Sequence, residues 1–338
     1  MEEDDGFNEE EWERFLEENP PTLPPFGYTF RGVDDEGTRN ALVAAMSPMA
    51  DLMSRLVPLD GLDGITIATD YRTALAELDR GVETSTTVEP TVEIFGTGVA
   101  MSCGVIRDGR FKTHVTFEAN IIAALLSDDP ELKSLSTHTF MHELGHVAEH
   151  TLDDQRFGEA MVTPSEDRYE FELYRYSHSC WSEYYASRVS APWKEDAIDG
   201  LRELLQGALE QLRERIAAAR GGVGPWSGQS NEDAAMEIID QVSKLMKFAG
   251  YVIGHAKGAG VAPIEPGSVH EALLEETGLN TWFGDIADTL DTIYNGRHEW
   301  ADLSVFHPLH RAFEAACLKF KLELHRSPDY AVAWRIWF

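Results

Sequence analysis

Thr139-Phe140-Met141-His142-Glu143-Leu144-Gly145-His146-Val147-Ala148 is the stretch on which the reading of this chain turns. Two histidines apart, its only ionisable side chain is Glu143. In an α-helix, residues four apart lie about 40° apart around the axis, so His142 and His146 can aim two imidazoles at one ion. Glu143 stands about 100° from His142, poorly placed to ligate beside both histidines. It is well placed to take a proton from water held at the metal, which makes H-E-x-x-H a functional unit. An exposed helix would not carry so apolar a run, and burying polar side chains without partners is costly. A shared zinc ion supplies the missing partner. The plainer alternative is a core helix whose two histidines are hydrogen-bonded.

The ladder continues on both sides. His138, His142, His146 and His150 recur every four residues, and His146-Val147-Ala148-Glu149-His150 also reads as the inverted motif H-x-x-E-H. The apolar flanks favour the first register. His138 and His150 are then expected to surround the ligands, cap the helix or face solvent.

A catalytic zinc usually takes three protein ligands and one water. A third histidine in the pattern H-E-x-x-H-x-x-G-x-x-H needs Gly at 149 and His at 152, but the chain has Glu149 and Leu152. The other common source is a glutamate on a later helix. The best match is Glu183 in Trp181-Ser182-Glu183-Tyr184-Tyr185-Ala186-Ser187-Arg188, 37 residues past His146, with Tyr176, Cys180, Tyr184 and Val189 as a candidate buried stripe. A glutamate there is either a ligand or the partner of a base. Glu159, Glu166, Glu170 and Glu172 compete for the role.

Outward from the motif, the first half reads as mixed α and β. Residues 1–20 carry ten acids and one base, and Asn8 is placed to cap a short amphipathic helix holding Trp12, Phe15 and Leu16. Residues 36–56 have helical apolar spacing, with a kink or restart expected at Pro48. Ile65–Ala68 reads as a strand and 71–78 as a helix. Val99, Met101, Cys103 and Val105 alternate, Asp108-Gly109 signals a hairpin turn, and Phe111, Thr113, Val115 and Phe117 alternate in return. Helices are expected at about 119–127, 136–151, 169–190, 195–219, 232–256, 268–277, 281–294 and 308–325. Gly250, Gly254 and Gly258 suit tight packing of one helix on another. The apolar end, Trp334–Phe338, is expected to dock on the core or on another subunit. The expected division is an acidic arm at 1–30, a catalytic core at 31–192 and a helical region at 193–338.

The order helix, strand, helix, antiparallel ribbon and H-E-x-x-H helix resembles that of zincin metallopeptidases, gluzincin type, and is distantly similar to the cytoplasmic ImmA/IrrE group, which cleaves repressors. The resemblance implies an α+β fold: a small mixed sheet with an antiparallel edge hairpin, followed here by a largely helical C-terminal region. It implies that the last strand before the motif, Lys112–Phe117, is an edge strand that pairs with an extended substrate. It implies zinc on His142, His146 and Glu183, with Glu143 as general base. It further implies a Tyr or His donor to the developing oxyanion; Tyr184 is the leading candidate, and Tyr185, His178, Tyr251 and His255 remain open.

Composition bounds the rest. The 338 residues include 59 Asp and Glu against 28 Lys and Arg, a net charge of −31, and 43% are hydrophobic. So acidic a surface disfavours direct binding of nucleic acid or anionic membranes. Cys103, Cys180 and Cys317 form no CxxC pair, which argues against a disulfide framework. The start lacks the pattern of a secretory signal and no apolar run is long enough to span a bilayer, so a cytoplasmic protein is expected. The expected function is peptide-bond hydrolysis of a protein or peptide substrate. The alternatives are a zinc-bound, non-proteolytic binding or regulatory protein with an acidic surface, and an acidic interaction protein without metal. The acidic arm is a candidate occupant of the cleft.

Overall fold

Asn8 caps α1 (Glu9–Glu18) as the sequence predicts: its side chain accepts from Glu11 N at 3.3 Å. The computed structural model describes residues 8–83, 87–90, 92–93, 96–158, 167–221, 230–328 and 331–337. The chain divides into two compact units, Met1–Thr151 and Leu152–Phe338. It is α+β, mostly helical, with a small mixed sheet and a separate antiparallel hairpin. Among the described residues no helix is long and apolar enough to cross a membrane.

In the first unit, β1 (Gly27–Arg31), α2 (Glu36–Leu56) and β2 (Leu62–Ala68) form a parallel βαβ pair. Asp35 caps α2 through Thr38 N. Of the kink or restart expected at Pro48, the restart does not occur: α2 continues through it. Leu42, Met46, Ala50 and Met53 form one buried stripe running through it, and that burial offsets the lost backbone hydrogen bond. Arg55 of α2 donates to the carbonyls of Leu16 and Asn19, each at 3.0 Å, so the end of α1 is tied to α2.

After α3 (Tyr71–Ala76) come a two-stranded ribbon, β3 (Val92–Glu93) and β4 (Gly96–Thr97), and then the expected hairpin, β5 (Ala100–Arg107) and β6 (Arg110–Glu118). Asp108 and Gly109 both have positive φ, 52° and 76°, as a two-residue hairpin turn requires. The sheet order is β1-β2-β6-β5. This corrects the expectation that Lys112–Phe117 forms the edge. β6 is paired on both sides because the apolar β2 lies parallel to it, Ile65 beside Val115 and Ile67 beside Phe117; the edge strand next to it is β5. Then α4 (Ala119–Ala123) leads to α5 (Pro130–Phe157), the motif helix. It starts six residues earlier than expected, with Pro130 at its first position and Asp129 accepting from Glu131 N at 2.9 Å.

The second unit holds α6 (Arg168–Ser190), α7 (Ala197–Gly221), α8 (Asn231–Ala259), α9 (Val269–Thr277), α10 (Asn280–Asn295) and α11 (His307–Lys319). A Cβ on Gly250, Gly254 or Gly258 of α8 would come within 2.2 Å of the carbonyl oxygen of Cys180, Tyr184 or Arg188 on α6. The glycine ladder therefore lets two helix backbones touch, as the sequence anticipates. The helix expected to reach residue 325 stops at Lys319. Leu322 and Leu324 alternate with Glu323 and His325, a period of two, and form β7 (Leu322–Arg326), which pairs antiparallel with β8 (Val332–Ile336). Of the apolar end, Trp334–Ile336 thus belong to a strand of a hairpin, and Phe338 lies outside the described residues.

Candidate metal centre

On α5 the neighbours of the motif are core: Phe140, Met141, Leu144, Val147 and Ala148 are all buried. That burial fixes the helix's rotation and leaves His142 and His146 half-buried on one side. Their Nε2 atoms lie 3.1 Å apart. Two ligands of one tetrahedral zinc, with bonds of about 2.0–2.1 Å, stand roughly 3.3 Å apart, so this spacing suits a shared ion. The same spacing also suits a hydrogen bond between one protonated and one bare nitrogen.

Glu143 is buried, and its Oε2 accepts a 2.7 Å hydrogen bond from Ser102 Oγ on β5. Two other groups feel its charge. Burial pushes the Cys103 thiol up to about 12, with the Glu143 carboxylate adding to the shift. Burial and then Glu143 also push Tyr71 on α3 well above its ordinary value. The Tyr71 hydroxyl is buried and makes no hydrogen bond among the described residues. Ser102, which contacts Glu143, is a residue that sequence reasoning did not single out.

Other histidines of this unit have different partners. His150 Nδ1 lies 2.9 Å from Thr113 Oγ1 on β6, while the rings of His142 and His146 meet edge to face, their centroids 4.8 Å apart. His114 bonds Asp63 at 3.0 Å and Thr66 at 2.9 Å, and burial holds it below the usual histidine range.

Glu183 belongs to the second unit. It is 8% exposed on α6, and Lys247 of α8 approaches its Oε1 at 3.7 Å. Tyr184 is fully buried; its hydroxyl bonds Arg188, which donates to Asp291 at 2.8 Å. A donor role for Tyr184 would require that network to open. Tyr185 is buried among aromatic rings, His178 bonds Asp153 at 3.2 Å, His255 is buried 3.1 Å from Glu195 O, and Tyr251 lies beside Phe248 and Lys247. Of the competing glutamates, Glu172 pairs with Arg175 at 2.7 Å and Glu170 with Arg326 at 2.8 Å. Glu159 and Glu166 lie outside the described residues.

A second set of ligand-type side chains lies within this unit. Glu170, His307 and His310 each offer one donor atom, all within 4.8 Å of one another. Burial holds His310 below the usual histidine range, against an opposing pull from Glu170. The chain thus carries histidine and glutamate groups positioned to hold a metal ion. No protein-family model, no curated protein and no solved structure matches the chain.

Proposed function

We propose that this chain is a zinc-dependent metallopeptidase acting on a protein or peptide substrate, with zinc on His142, His146 and Glu183 and with Glu143 as general base. The observation that carries this reading is the pair of Nε2 atoms 3.1 Å apart on α5, with a buried, hydrogen-bonded carboxylate next to the first of them. Glu183 is the third ligand in this reading because a carboxylate completes a His2Glu set. Its low exposure, 8% on α6, supports it.

Zinc at such a set lowers the pKa of water and polarises the scissile carbonyl. Glu143 takes the proton of the attacking water and passes it to the leaving amine as the C–N bond breaks. Ser102 holds the carboxylate in place during both transfers. An extended substrate adds to the edge strand β5 near Ala100–Cys103, which brings its backbone past Ser102. Three free, buried thiols suit a reducing compartment such as the cytoplasm.

The test joins metal content to turnover. Wild-type protein should cleave an unfolded substrate such as casein and stop when a chelator is added. Glu143→Gln should keep its zinc and lose activity by at least about 100-fold. Glu183→Ala should lose the zinc bound at His142 and His146. Turnover retained by Glu143→Gln would refute the base assignment. Stoichiometric zinc without cleavage in the wild type would favour the non-proteolytic binding or regulatory protein.

A further inference from the structure

We propose that the second unit carries a metal site of its own, formed by Glu170 near the start of α6 and by His307 and His310 in the first turn of α11, and suited to zinc or a similar divalent ion. This site does not depend on the peptidase reading. Glu170 Oε2 lies 3.2 Å from His310 Nδ1 and 3.5 Å from His307 Nε2. Those separations bracket the roughly 3.3 Å edge of a tetrahedral zinc site with bonds of about 2.0–2.1 Å. The donor set, two imidazoles and one carboxylate, is a standard zinc set.

The surroundings prepare the carboxylate for this. Its other oxygen, Oε1, accepts from Arg326 Nη2 at 2.8 Å, and Arg326 Nη1 pairs with Asp167 at 2.9 Å. The guanidinium fixes the carboxylate plane and turns Oε2 toward the two imidazoles. His310 is committed to the same place: its side chain is 6% exposed, Nδ1 faces Glu170, and Nε2 is buried with no hydrogen-bond partner among the described residues. A solvated ion-pair patch would not need a buried ring oriented in this way.

Charge also favours a dication. Asp167 and Glu170 flank Arg326, and Glu314, which accepts from the Tyr169 hydroxyl, adds a third carboxylate. This outweighs the partial positive charge at the start of α11, which by itself disfavours a cation. His307 is 46% exposed, so an ion can enter from solvent and keep water as its fourth ligand. Bound there, the ion would clamp α6 to α11 and stabilise this unit by mass action.

The experiment uses the full chain with His142→Ala and His146→Ala together, which removes the first candidate site. Zinc is titrated against a chromophoric chelator, and cobalt is bound in parallel to read tetrahedral ligand-field bands. The double variant should bind one equivalent. Adding His307→Ala, a half-exposed position, or Glu170→Gln should weaken that binding by at least about 100-fold, since even partners beyond the ligands are worth 10–100-fold. Adding His325→Ala, an exposed histidine of β7, should change nothing. The proposal fails if the double variant binds no zinc, or if its binding survives both His307→Ala and Glu170→Gln. Peptidase activity is judged on the wild type and its Glu143→Gln variant, so failure of either proposal leaves the other readable.

Discussion

Ser102 and Glu143 are 41 positions apart, and the hydroxyl of one fixes the carboxylate of the other at 2.7 Å. A hydrogen bond to an ionised group is worth about 1.5–3 kcal/mol. If Glu143 is the base, Ser102→Ala should lower kcat by about 10- to 100-fold at nearly unchanged KM, and Ser102→Thr should restore most of it. Steady-state kinetics on one peptide checks this; unchanged kcat in Ser102→Ala would show that the bond does not serve the reaction. The two histidines were legible because the helix period alone brings His142 to His146. Ser102 was not, because no spacing rule links a strand residue to a helix residue so distant in sequence. Tyr184 shows the opposite limit. Its burial could be guessed from its stripe, but its commitment to Arg188 and Asp291 depends on α10, which sequence cannot place against α6.

At the scale of elements, α6 and α8 give the sharpest case. Glycines at 250, 254 and 258 meet carbonyls at 180, 184 and 188, two ladders of the same period in backbone contact. Gly254→Ala would put a methyl 2.2 Å from Tyr184 O, and neither backbone can yield as a flexible side chain would. We expect about 2 kcal/mol or more of destabilisation, seen as a fall of roughly 5 °C in Tm. Gly284→Ala in α10, where a Cβ meets nothing within 4 Å, should be neutral or slightly stabilising. Equal Tm values for the two variants would mean that the helices are not in backbone contact in solution. Local patterns did carry the hairpin at Asp108-Gly109 and most of the helices. They misjudged the edge strand, because strand order is set by which apolar faces meet, and at Pro48 the helix does not restart, because a buried stripe runs through it. The period-two signal of β7 was overlooked beside a strong helix.

For the whole molecule, charge is the dominant fact. With 59 acids against 28 bases, pairing every base would still leave 31 negative charges. Such a surface repels itself, and that repulsion weakens the compact state. Salt shortens its reach, from about 30 Å at 0.01 M to about 3 Å at 1 M. Tm should therefore rise by several degrees between 0.02 and 0.5 M sodium chloride, whereas sucrose at equal osmolality should not reproduce the steep early part of that rise. The same field acts on substrates. If the chain is a peptidase, so acidic a surface should favour lysine-rich over glutamate-rich peptides, and kcat/KM for the basic ones should fall as salt increases, because screening removes the attraction that speeds encounter. The two trends must oppose each other in one salt series: stability up, capture of basic peptides down. If capture is insensitive to salt while Tm still rises, the acidic surface serves solubility and plays no part in selecting substrates.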